Sequence, residues 1–190
     1  MTITTLVAPA VEPVGLADAK EYLRIGYDSE DELVAGLIAG ARSRIETAAG
    51  LALITRTLRL TLDGWSKGTL ERREVRLPVR PAAELVAIRV FDVNDVATEV
   101  TDQFILDAGR SARLVWTSGV FPWPGRRAAG IEIDFTAGFG ADADDVAEDL
   151  RLAVKRLVAH AYLARDAGTL SGPLPEDVAG LLSPWRRVRL

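Results

Sequence analysis

The sequence predicts an α+β fold: N-terminal helices and a long C-terminal helix packed together, with an antiparallel β subdomain inserted between them. Three observations predict it. Apolar residues recur at three- and four-residue steps near both ends, in Leu33, Leu37, Ile38, Ala41 and Ile45 and again in Val146, Leu150, Val154, Leu157, Val158 and Ala161. Between them, residues 54–137 alternate apolar and polar residues in short runs. The runs are separated by short turns, which join antiparallel rather than parallel neighbours.

Taken in order, residues 1–13 read as an extended arm, and Leu16 to Arg24 as a short helix with Leu16, Ala19 and Leu23 inward. Ser29-Glu30-Asp31-Glu32 reads as a capping box at the start of the next helix, which Gly50 stops. Leu58, Leu60 and Leu62 mark a strand, and Leu70 to Leu77 its return, with only Val75 and Leu77 clearly apolar. Leu85 to Phe91 is a strand with Val86, Ile88 and Val90 on one face. Val96–Val100 follows a turn, and Phe104–Leu106 pairs with Arg113–Trp116. Ile131, Ile133 and Phe135 close the series, and a helix from Asp144 to Arg165 runs roughly 33 Å. The expected parts are a helical part (1–53), the β subdomain (54–137), the long helix with a helical turn (138–182) and a tail (183–190).

Composition excludes several classes. The 190 residues suffice for a sizeable core, and 48% hydrophobic with 26% charged residues is ordinary for a globular domain. The absence of cysteine removes disulfides and thiolate metal sites. No apolar run approaches the length of a membrane span, so no membrane partner is expected. The segment MTITTLVAPAVEP lacks the basic and long apolar regions of a secretory signal. A net charge of −4 argues against gripping nucleic acid along a broad basic face. The basic residues are 20 Arg and 3 Lys, a bias that GC-rich coding explains.

No catalytic, cofactor or metal site emerges. Gly138-Phe139-Gly140-Ala141-Asp142-Ala143 fits the G-x-G-x-x-A pattern of a dinucleotide turn. No parallel strand is expected after the helix, however, and Asp142, Asp144 and Asp145 would repel a pyrophosphate. Those aspartates suit a helix N-terminus better than a calcium loop. His160 is the only histidine, and no G-x-S-x-G occurs to serve a triad.

Two features point instead to partners. On the long helix, Leu152, Ala159 and Leu163 form a second stripe away from the main apolar face. A helix with two stripes packs on two sides, against its own chain or a neighbouring subunit. The tail carries Trp185, Val188 and Leu190 among Arg186, Arg187 and Arg189. Trp and Arg are the residue types that dominate interface energetics, so partner docking is expected there, against the alternative that the tail folds back on its own domain.

Several stretches then resemble a known family. LADAKEYLRI and SEDELVAGLIAGARSRIETAAGLALITRTLRLTLDGW resemble the N-terminal signature of head–tail connector (adaptor) proteins of long-tailed phages. LPVRPAAELVAIRVFD, IEIDFTAGFG, DLRLAVKRLVAHAYLARDAG and LLSPWRRVRL continue the resemblance over nearly the whole chain. The ending is especially similar to the adaptors of gene transfer agents, phage-like particles of some bacteria. The resemblance implies a structural, non-enzymatic subunit of a ring, typically twelve-fold, beneath the portal at the head–tail interface of a virion assembled in the bacterial cytoplasm. It implies the portal and a stopper or tail-completion protein as partners, and packaged DNA passing without sequence-specific binding. In that setting Leu152, Ala159 and Leu163 are the expected subunit contact, and Trp185, Arg186, Arg187, Val188, Arg189 and Leu190 the expected portal-docking tail. The alternatives are a stopper or tail-completion protein, or a small enzyme with its pocket in the β subdomain.

Overall fold

A computed structural model describes residues 1–108, 111–119, 121–164 and 172–186. Strand β1 (Thr2–Val7) precedes helices α1 (Leu16–Leu23) and α2 (Asp31–Ala49). Then come β2 (Arg56–Leu62), α3 (Lys67–Arg72), β3 (Glu74–Arg76), β4 (Ala82–Phe91), β5 (Ala97–Glu99), β6 (Phe104–Asp107), β7 (Arg113–Trp116) and β8 (Ile131–Ala137). Helices α4 (Glu148–Leu163) and α5 (Glu176–Leu182) follow. The fold is α+β, and the chain divides into two compact units, Met1–Ala8 with Thr55–Gly138, and Pro9–Ile54 with Phe139–Leu190.

The first unit holds two antiparallel sheets, β1-β2-β8-β4-β5 and β3-β7-β6. Period-two alternation sets the register of the larger sheet. Leu58 lies opposite Phe135 and Leu60 opposite Ile133, and all four are buried. The alternate pairs, Arg59 with Asp134 and Thr61 with Glu132, form the other face. There Arg59 grips Asp134 through two hydrogen bonds of 2.7 and 2.8 Å, and Arg89 adds a third at 2.7 Å. Burial would raise the Asp134 carboxyl, but the hydrogen bonds from the two guanidinium groups outweigh it and hold it below the ordinary carboxylate range.

Four details of this unit depart from the sequence reading. The expected arm at residues 1–13 contains β1, which pairs with β2, so Met1–Ala8 belongs with the sheet and not with the helices. Leu70 lies in α3, because Ser66 Oγ accepts from the Thr69 amide at 3.1 Å and starts a helix there. The return strand shrinks to the three residues of β3. Val86 is exposed while Ile88 and Val90 are buried, because a register shift between Leu85 and Ala87 breaks the alternation.

In the helical unit, α2 and α4 contribute the main stripes of one core. Val34, Ile38, Ala41 and Ile45 of α2 are buried, as are Leu150, Val154, Leu157 and Val158 of α4. Val178 and Leu182 of α5 complete the same cluster. The chain leaves and re-enters this unit at neighbouring points. Phe139 N–H donates to the Leu53 carbonyl, and Ile54 bridges Gly140. Glu46, though buried, accepts from the Leu53 amide at 2.8 Å and from Arg42 at 3.2 Å.

Both long helices start later than the sequence suggests. Helix α2 begins at Asp31 behind Glu30, with no side-chain cap, so Ser29 is not the cap. The Glu30 carboxylate is instead drawn to the hydroxyls of Tyr27 and Tyr162. Helix α4 begins at Glu148, because Asp142 and Asp145 cap a short 3-10 turn over Ala143–Asp145 and Val146 is extended. Buried Val146 reaches the core from that extended position.

Candidate subunit and partner interface

Helix α4 presents its two stripes on opposite sides. Leu150, Ala153, Val154, Leu157, Val158 and Ala161 are buried. On the outward side, Leu152 and Ala159 are half-buried and Leu163 is 82% exposed. Residues at these spacings share one helical face, so the fold brings the three together. Exposed Tyr22, 44% accessible, joins Ala159 and Leu163 around a shallow hollow that also touches Arg156 and His160. Lys155 and Arg156 are on the same outward side, Arg156 at 3.6 Å from Asp177. His160 Nε2 lies 3.1 Å from Asp177 Oδ1 on the surface, a link between α4 and α5.

The tail residues separate. Ser183–Trp185 forms a 3-10 turn that continues α5. The Trp185 ring meets the Phe139 ring edge-on at 5.3 Å, and its indole N–H donates to Asp149 at 2.8 Å. The Trp185 side chain therefore packs on its own helical unit. Arg186 is exposed. Arg187, Val188, Arg189 and Leu190 lie outside the described residues.

On another side of the helical unit, a cleft of about 730 Å3 opens among Val11, Leu16 and Ile38, with Asp18, Asp142, Asp144 and Asp145 around it. Arg151 lines it too, 2.9 Å from Asp144 and 4.0 Å from Asp18. The G-x-G turn beside it serves packing. A Cβ on Gly140 would fall 2.0 Å from Asp145 Oδ2, so only glycine lets the capping carboxylate come so close. Among the described residues, no group of three His, Asp or Glu side chains is placed to hold a metal ion. No described helix is long and apolar enough to cross a membrane.

Elsewhere in this unit, Tyr162 is pushed up to about 12, first by its hydrogen bond to Glu30 and then by Tyr27. The Lys20 ammonium is raised by hydrogen bonds to Asp28 and Asp31, each at 2.6 Å. Both arrangements tie α1 and the α1–α2 turn in place. Sequence reasoning missed Tyr22, whose helical position gives no sign of its exposure. Trp123 of the first unit is 66% exposed between two prolines.

No protein-family model matches the chain, and no curated protein does. Solved structures do. A chain in the neck of the empty gene transfer agent (GTA) particle, computed with C6 symmetry, is 31% identical with a TM-score of 0.85. The alignment covers 100% of this chain and 97% of that one. This chain belongs to the family of GTA neck proteins. A chain of the virion of the native GTA particle is 30% identical with a TM-score of 0.83, again over 100% and 97% of the two chains. In the neck of the native particle, computed with C12 symmetry, a chain is 29% identical with a TM-score of 0.81 at the same coverage. This GTA neck-family chain thus shares its whole length, both units included, with those particle components.

Proposed function

We propose that the protein is a structural subunit of the neck of a phage-like particle, an adaptor that forms a ring between the portal of the DNA-filled head and the tail-side components. The observation that carries this reading is the full-length likeness to chains from GTA necks with C6 and C12 symmetry. Identical copies in such a ring make a heterologous contact, one patch meeting a different patch on the next copy. The outward stripe of α4 supports this, since an 82% exposed Leu163 beside Leu152 and Ala159 is surplus to the chain's own core. The portal-facing part of the tail is Arg186 together with Arg187, Val188, Arg189 and Leu190. Trp185, packed on Phe139 and bonded to Asp149, anchors the base of that segment. A net charge of −4 suits a wall past which DNA slides without adhering.

The test is genetic and structural. In a bacterium that produces the particles, removing this chain is expected to leave DNA-filled heads without tails, and restoring it to return whole particles. Tailed particles in its absence contradict the reading. Truncation after Arg186 separates the two parts of the tail: the protein keeps its unfolding temperature but no longer joins the portal.

A further inference from the structure

Resting on the ring reading, we propose that the outward stripe of α4 seats in the acidic cleft of the adjacent copy of this same chain, so that these two surfaces form the repeating junction. The stripe offers Leu152, Ala159 and Leu163 flanked by Lys155 and Arg156. The cleft offers an apolar floor at Val11, Leu16 and Ile38 under a rim of Asp18, Asp142, Asp144 and Asp145, with Arg151 the one cation among its described lining residues. Apolar knob meets apolar floor, and basic flank meets acidic rim.

The far end of the stripe is out of reach of its own cleft. Arg151 lines the cleft beside Leu152 and one turn from Lys155, but Leu163 lies twelve residues further along the same helix, about 18 Å away at 1.5 Å per residue. Both surfaces belong to one helical unit, so the distance between them is fixed. Two different patches on one copy, each complementary to the other on a neighbour, are what a head-to-tail ring needs. The cleft's volume of about 730 Å3 has room for several side chains, and the stripe presents three.

The absence of native cysteine makes the test direct. Full-length chain carrying Val11→Cys and Leu163→Cys, both at exposed positions, is assembled with the portal complex and treated with a short bismaleimide. The expected result is a ladder of linked copies on a denaturing gel, with either single-cysteine chain giving no more than a dimer. A complex of ring mass without a ladder overturns the junction and leaves the neck reading standing. No ring from the unsubstituted chain under the same conditions overturns the neck reading itself. As a second arm, Lys155→Glu is expected to lower ring yield at least tenfold and Lys155→Glu with Asp144→Lys to restore it, because each copy then carries both halves of the reversed pair. Asp144 is 91% exposed, so its exchange spares the fold. A folded double variant that stays as defective as Lys155→Glu contradicts the pairing.

Discussion

The polar face of the five-stranded sheet and the outer face of α4 both turn away from an apolar core, and they complete their surfaces differently. On the sheet, Asp134 is 4% exposed and is met by three hydrogen bonds from Arg59 and Arg89, while Glu132 is 2.9 Å from Arg59. The charges there are satisfied within the chain. On α4, Leu163 is 82% exposed with its apolar surface turned to solvent. A face whose groups find their partners within the chain serves stability, and the apolar surplus on α4 is the surface proposed above to meet another copy. The same contrast holds within α4, where the inner stripe is buried and the outer stripe is open.

That contrast breaks first at the inner stripe. Leu157→Ala removes a side chain that is 2% exposed, with an expected cost of about 3 kcal/mol for a buried leucine, whereas Leu163→Ala is expected to change stability by less than about 0.5 kcal/mol. Urea unfolding of the two variants checks this, and equal costs would erase the difference between the stripes. Asp134→Asn is next, at about 2 kcal/mol, since it leaves Arg59 and Arg89 without their shared charge.

The Asp134 exchange also sharpens the comparison through pH. The folded carboxyl sits below its unfolded value near 3.9, so the stability it gives is present above that value and lost as pH falls through the lower, folded one. Asp134→Asn is expected to flatten the acid limb of stability against pH, measured by thermal unfolding between about pH 5 and 2. Trp185→Phe keeps a ring against Phe139 but loses the hydrogen bond to Asp149, for an expected loss of about 1 kcal/mol. A larger loss, with unfolding of α5, would mean that the tail base is core. The smallest effect is spectroscopic. Tyr162 is expected to ionise near 12, and Glu30→Gln to bring its absorbance titration back toward the ordinary tyrosine range near 10.

Much of this was legible in the sequence because periodicity reports burial. The alternation of Ile131, Ile133 and Phe135 and the spacing of Leu150, Val154, Leu157 and Val158 placed a sheet strand and a helix face, all now buried. Periodicity is silent where side chains settle the local geometry. The cap at Asp142 and Asp145 delays α4, and Ser66 starts α3 where a strand was expected. Strand β1 was missed because all six of its residues are exposed, leaving only its backbone pairing with β2 to define it. The cleft had no sequence signature, since Val11 and Asp144 meet only through the fold. The outer stripe was readable from spacing, but its exposure required the structure. Nothing local in the tail marked Trp185 as a partner of Phe139 and Asp149, residues 46 and 36 positions earlier in the chain.

Multi-angle light scattering tests the central claim most directly, on the full chain alone and then mixed with the portal complex. A neck adaptor is expected to bind the portal in a complex of fixed mass that matches a closed ring of copies, whether it begins as a monomer or as a preformed ring. A chain that stays monomeric and leaves the portal's mass unchanged would contradict the account.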